Sequence, residues 1–199
     1  MQGELRLLGD QREERGFVDD GDLKFVPNRF EKTYRDWLEK LHDWCISRQI
    51  WFGHPLPVFE NAKGEISLTK KAGFKPSDDT LDTWFSSALW PFSTLGWPDD
   101  TDDFKRFFPN DVLETGYDII FFWITRMVLM TIALDIRGEN ARLKPPFHTA
   151  YLHGLVRDKR GRKFSKTLGN GVDPLELIGK YGADALRFML ATSSTPGND

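Results

Sequence analysis

Two apolar segments late in the chain limit the fold more than any other feature. Residues 119–134 form the longest apolar run, and Arg126 is the one charge inside it. A run of this length is short of the roughly 20 residues a helix needs to cross a bilayer, so it reads as a buried helix. Residues 147–156 are a second, largely apolar segment, with Leu152 and Leu155 inside it. Its character suits a strand buried on both faces of a parallel sheet. Val112-Leu113 is strand-like and precedes the helix. Strand, helix, strand, loop and helix in that order predict a right-handed βαβ crossover and an α/β fold.

The earlier chain reads as elements that pack around this unit. Phe30, Tyr34, Trp37, Leu38, Leu41, Trp44 and Cys45 follow helical spacing and predict an amphipathic helix of roughly four turns, ending near Ser47-Arg48-Gln49. Residues 56–59 read as a strand. Residues 61–77 read as a hairpin-like insertion, with a turn at Lys63-Gly64 and strand-like alternation over 65–69. Asp82 can cap a short helix through Trp84, Phe85 and Leu89 that Pro91 stops. Residues 96–103 read as a loop. Asp173-Pro174 supplies a cap and first-turn proline for a later helix, and Gly182 separates it from a helix over 183–192. Residues 24–27 are a short extended piece. Residues 1–20 carry little pattern, and 9–15 read as a solvated charge run.

Composition narrows the class of partner. The net charge of −3 excludes a chain-wide polyanion-binding surface, so any phosphate contact must come from a local cluster. The single cysteine, Cys45, can build neither an internal disulfide nor a cysteine-rich zinc site. The polar N-terminus lacks the apolar core of a signal peptide, and a reduced, cytoplasmic setting is expected, with no membrane contact. Aromatic residues are abundant, with 16 Phe, 7 Trp and 4 Tyr, enough to fill a core and to wall a small ligand.

The local cluster is the loop after the second apolar segment. Arg157, Lys159, Arg160, Arg162, Lys163 and Lys166 fall within ten positions, and Gly161 and Gly169 bracket the turn. Two lysines spaced by a small pair, on a loop leaving a buried strand, can close over a polyphosphate. Displacement at an α-phosphate expels pyrophosphate and needs positive charge on the departing oxygens. Ser165, Thr167 and loop amides could add donors. The plain alternative is a solvated basic turn.

Lys163-Phe164-Ser165-Lys166-Thr167 resembles the Lys-Met-Ser-Lys-Ser signature of the class I aminoacyl-tRNA synthetases. It departs from that signature at Phe164 and Thr167. His153-Gly154-Leu155-Val156 before it, Gly169-Asn170 and Asp173-Pro174 after it, and the stretch from Lys180 to Phe188 fit the same family. Trp44-Cys45-Ile46-Ser47-Arg48-Gln49 looks like the family's return from its inserted editing domain. The stretch from Asp82-Thr83-Trp84-Phe85 to Phe92, and Thr115-Gly116-Tyr117-Asp118-Ile119-Ile120, resemble the valine branch. The resemblance covers about residues 23–199 and leaves residues 1–22 unmatched.

The resemblance implies the second half of a Rossmann-like, parallel-sheet catalytic domain with a short β-hairpin insertion. It implies ATP-dependent activation of valine and transfer to valine tRNA, with Mg²⁺ beside the phosphates and no zinc. It assigns Lys163 and Lys166 to catalysis. Gly116, Asp118, His153, Gly154 and Ser165 would bind ATP or the adenylate, with a simple helix cap as the alternative for Asp118. Trp84, Ile119 and Trp123 would line the amino-acid pocket, with plain core as the alternative for the tryptophans. Roles for His54 and Arg48 are weaker, since Pro55 stands where the family commonly has arginine. The family's early His-Ile-Gly-His signature has no match among His42, His54, His148 and His153. The first half of the nucleotide-binding fold and the editing domain are therefore expected to lie outside this sequence. The chain is then expected to be inactive alone and to need a complementing N-terminal half. A non-catalytic fragment, a nucleotide- or tRNA-binding module and an isoleucine-type fragment remain as alternatives.

Overall fold

In the computed structural model, which describes residues 11–136, 143–165 and 167–193, a helix and a strand lead into the chain: α1 (Gln11–Asp19) and β1 (Lys24–Val26). Next come α2 (Phe30–Glu39), β2 (Ser47–Arg48), and the insertion strands β3 (Phe59–Asn61), β4 (Ile66–Ser67) and β5 (Phe74–Pro76). Strand β6 (Thr80–Leu81) pairs antiparallel with β2 and feeds three short helices, α3 (Thr83–Ala88), α4 (Trp90–Ser93) and α5 (Asp102–Phe107). Strand β7 (Asn110–Gly116), a 3₁₀ turn (Tyr117–Ile119), a π-helical segment (Ile120–Thr125) and α6 (Arg126–Ala133) follow. The unit closes with β8 (Phe147–His153), and α7 (Pro174–Tyr181) and α8 (Ala183–Ser193) come after it.

Strand β8 is the centre of a three-stranded sheet, parallel to β1 on one side and β7 on the other. A β7–helix–β8 crossover thus forms as the apolar pattern predicts. Its register places Val112 opposite Thr149 and Gly116 opposite His153, so the two strands end at one level. The main core joins Phe25 of β1, Tyr34 and Leu38 of α2, Ile120, Ile124 and Met127 of the crossover, and Ala150 and Leu152 of β8. The fold class is α/β around a parallel sheet.

Four elements differ from the sequence expectation. Strand β8 is not buried on both faces: Ala150 and Leu152 are buried, whereas Thr149, Tyr151 and His153 are half-buried and His148 is exposed. Helices α7 and α8 bury no residue, so neither seals the second face. Helix α2 stops at Glu39, short of Leu41, Trp44 and Cys45. The backbone beyond it is drawn to β6 and α3 instead, where Ile46 O accepts from Asp82 N at 2.8 Å. The insertion has three antiparallel strands, in the order β4-β3-β5, because the strand expected at 56–59 starts only at Phe59. Residues 11–19, read as a charge run and patternless flank, form a helix that buries Phe17 and Val18 in the main core.

One carboxylate ties several elements together. Asp82 caps α3 by accepting from Trp84 N at 3.1 Å, as its position before the helix predicts. The same buried group accepts from Trp44 Nε1 at 2.9 Å and Arg48 Nη2 at 2.6 Å. Arg126 Nη1 lies 3.8 Å from it, with the guanidinium 4.1 Å from the Trp44 ring centroid. Burial lowers the Arg126 pKa, Asp82 opposes that shift, and Arg48 adds to it. Removing one member of a buried ion pair leaves the other charge uncompensated. Asp82→Ala is therefore expected to lower the unfolding free energy by about 3–5 kcal/mol, and Asp82→Asn by less, since it keeps the helix cap. Urea denaturation checks this; a loss under about 1 kcal/mol for Asp82→Ala, the size of a surface pair, would contradict it.

Candidate active site

The ends of β7 and β8 carry the residues singled out in the sequence. Parallel pairing sets Gly116 directly beside His153. Crevices outside the carboxyl ends of parallel strands are where open α/β sheets bind ligands. Gly116 leaves room there for neighbouring side chains. A Cβ on it would lie 2.6 Å from Asp118 Oδ1, 3.3 Å from Leu155 Cδ2 and 3.6 Å from His153 Cε1. Asp118 sits in the 3₁₀ turn and does not cap it; Gly116 occupies the cap position, without a side-chain bond. The carboxylate of Asp118 instead pairs with Lys163 Nζ. His153 Nδ1 lies 2.7 Å from Gly154 O, which orients the ring.

The basic loop folds back on itself. Arg157 and Lys163 form an antiparallel bridge, and Phe164 N donates to Val156 O at 3.1 Å. Gly161, at φ +75°, makes the turn. Arg157 reaches Tyr117 OH at 3.0 Å and Gly161 O at 2.9 Å, joining the loop to the end of β7. Asp158 accepts from Arg160 N at 2.9 Å, Arg162 N at 3.0 Å, Arg162 Nε at 2.9 Å and Asn170 Nδ2 at 3.0 Å. The Asn170 amide, first, and the Arg162 backbone, second, hold the Asp158 carboxyl well below the usual carboxylate range. A depressed carboxyl gives its full stabilisation above its unfolded pKa of about 4, and loses it only as the pH falls through the lower folded value.

Gly116, Asp118, His153 and Lys163 therefore meet at the strand ends, with Gly154 next along the chain. Ser165 belongs to the loop, but its amide already donates to Asn170 Oδ1 at 2.8 Å, so this donor is spent internally. Lys166 lies outside the described residues. Trp84 and Trp123 occupy facing elements with different partners: Trp84 stacks on Phe122 at 5.7 Å, while Trp123 lies 6.0 Å from Trp90 and donates to Ser87 O at 2.9 Å. Ile119 is half-buried at the start of the π-helical segment. Arg48 serves the Asp82 network, not the crevice. The sequence reading left out Asp158 and named Asn170 only within the family resemblance, without a role. Their signal was present as an acid inside the basic cluster and an amide after it, but spacing alone does not show that they meet.

Gly116→Ala is expected to keep the chain folded, with stability reduced by about 1–3 kcal/mol, and to push the Asp118 carboxylate off Lys163. Amide NMR should then show Asp118, His153 and Lys163 shifting together. Shifts confined to the strand neighbours of Gly116 would contradict the shared crevice.

Among the described residues, no helix is long and apolar enough to cross a membrane. Comparison with known proteins then places the chain. The sequence model of the family described as "tRNA synthetases class I (I, L, M and V)" matches residues 13–72 and 65–199. The valine–tRNA ligase of Symbiobacterium thermophilum is 55% identical over 193 residues, covering 92% of this chain and 20% of its own length. That of Bacillus subtilis is 55% identical over 184 residues, covering 89% and 20%. The chain thus spans about one fifth of the length of the curated relatives it matches. Among solved structures, Mycobacterium tuberculosis methionyl-tRNA synthetase bound by methionyl-adenylate aligns over 95% of this chain and 32% of its own, with TM-score 0.69 and 22% identity. An Agrobacterium radiobacter K84 LeuRS–tRNA complex aligns over 80% and 26%, with TM-score 0.61 and 23% identity. At those identities the structures speak to the fold, and the family match to membership: the chain belongs to the class I tRNA synthetases.

Proposed function

We propose that this chain supplies the loop-bearing half of a valine–tRNA ligase active site, for ATP-dependent activation of valine and its transfer to valine tRNA. The observation that carries the reading is the meeting of Gly116 and His153 at one strand-end level, with Lys163 brought to Asp118 above them. The valine branch rests on the 55% identity to valine–tRNA ligases. A cytoplasmic location goes with it.

In the proposed first step a valine carboxylate oxygen attacks the α-phosphorus of ATP. The new O–P bond forms as the bond to the β-phosphate bridge breaks, and pyrophosphate leaves with its electron pair. Gly116, His153 and Gly154 would bound the nucleotide, and Asp118 would hold a hydroxyl or ammonium group once Lys163 turns to phosphate. Lys163 and Lys166 would stabilise charge on the departing oxygens, and Ser165 would act through its hydroxyl. Trp84, Ile119 and Trp123 would wall the aliphatic side chain by volume, which excludes larger residues better than isosteres. Among the described residues no group of three or more His, Cys, Asp or Glu side chains could hold a metal. A Mg²⁺ would therefore be held chiefly by the phosphates of ATP, where it would offset their charge.

The test is valine-dependent ATP–pyrophosphate exchange by the chain alone and with an N-terminal half of a valine–tRNA ligase. Negligible exchange alone and recovery on mixing are expected. ATP binding without exchange in either case would instead support a nucleotide-binding module. In the active mixture, Lys166→Ala should lower kcat by roughly a hundred- to a thousandfold, as for one lost transition-state contact, with little change in valine binding. Arg160→Ala should cost less than about tenfold, as for a solvated charge. Equal losses would mean the loop acts as a diffuse positive patch.

A further inference from the structure

We infer that Asp158 and Asn170 form a clip that presets the phosphate-facing loop, and that both are positioning residues. The inference rests on the polyphosphate reading of the loop given above. Twelve positions separate the two residues, yet Asn170 Nδ2 donates to Asp158 Oδ2 at 3.0 Å. The same amide nitrogen donates to Lys163 O at 3.1 Å, and Asn170 Oδ1 accepts from Ser165 N at 2.8 Å. One amide side chain therefore holds the backbone on both sides of Phe164. Asp158 holds the other limb through the amides of Arg160 and Arg162. Its own N–H donates to Arg162 O at 2.8 Å.

The chemistry of the two groups explains why they are an acid and an amide. Asp158 faces four N–H donors and needs an acceptor-only group. Asn170 must donate to Asp158 and Lys163 O while accepting from Ser165 N, which only a carboxamide can do with one planar group. The clip fixes the Lys163 backbone, so the side chain leaves the loop toward Asp118 and the strand ends while staying exposed to solvent. Five described cations, Arg157, Lys159, Arg160, Arg162 and Lys163, crowd the loop, and the Asp158 carboxylate offsets part of their mutual repulsion.

This role and a diffuse positive patch give opposite signs in one experiment. Asp158→Asn removes a negative charge from a basic loop, which on the patch reading strengthens anion binding. On the clip reading it sets an amide donor against Asn170 Nδ2 and Arg162 Nε, opens the loop, and weakens binding. The probe is inorganic pyrophosphate titrated into the 199-residue chain, with hydrogen exchange of the Ser165 and Arg162 amides followed in parallel. The unsubstituted chain should bind pyrophosphate and protect both amides. Asp158→Asn and Asn170→Ala should each lose that protection and bind about tenfold more weakly or worse, as for one or two lost bonds to a charged group. Unchanged or tighter pyrophosphate binding by Asp158→Asn would overturn the clip as a positioning device, and so would unchanged Ser165 protection. Absence of pyrophosphate binding by the unsubstituted chain would instead overturn the polyphosphate reading, with the exchange data still reporting whether the clip exists.

Discussion

The structure depends first on the parallel pairing of β7 with β8. Six residue pairs, from Asn110 with Phe147 to Gly116 with His153, fix where both strands stop. A slip of one residue would turn Ala150 and Leu152 out of the core and carry His153 away from Gly116. Everything proposed for function stands on that level end. The 3₁₀ turn places Asp118 over it, and the basic loop returns to it through Arg157 and Lys163. Strand β1 completes the sheet on the far side of β8 with Phe25 in the common core.

Two polar networks do the work that the apolar core cannot. The Asp82 carboxylate ties the segment after α2 to α3 and, through Arg126, to the crossover helix. The Asp158–Asn170 pair does the same for the loop, in a more exposed setting. Both put one acceptor-only group against several donors, from far along the chain for Asp82 and from its own turn plus Asn170 for Asp158. The first is buried and chiefly structural, near the π-helical segment whose aromatic rings crowd Arg126. The second leaves Lys163 exposed and, among the described residues, paired with Asp118, so that pair can exchange for another anion.

Much of this was legible in the sequence, for physical reasons. The apolar run of 119–134 and the segment after it define a crossover because burial demands it. Asp82 and Asp173 cap their helices as their positions suggest, the latter accepting from Leu175 N at 2.9 Å. The end of α2 was not legible, because Leu41, Trp44 and Cys45 keep the helical period while tertiary bonds at Ile46 and Asp82 override it. Periodicity reports what could be buried on a helix, not which partner takes the backbone. The burial of Phe17 and Val18 was hidden by the charges around them. In the site, the motif residues were readable, whereas the clip was not, since two polar residues twelve apart meet only once the loop has closed.

The central claim is that the strand ends and the loop form one nucleotide-phosphate site. Titrating ATP into the isotope-labelled chain and following amide shifts tests it most directly. The account predicts that shifts concentrate together at Gly116, Asp118, His153, Gly154 and 163–167, saturating with one affinity. Shifts confined to the exposed turn at 159–161, or scattered over the other basic residues, would contradict it.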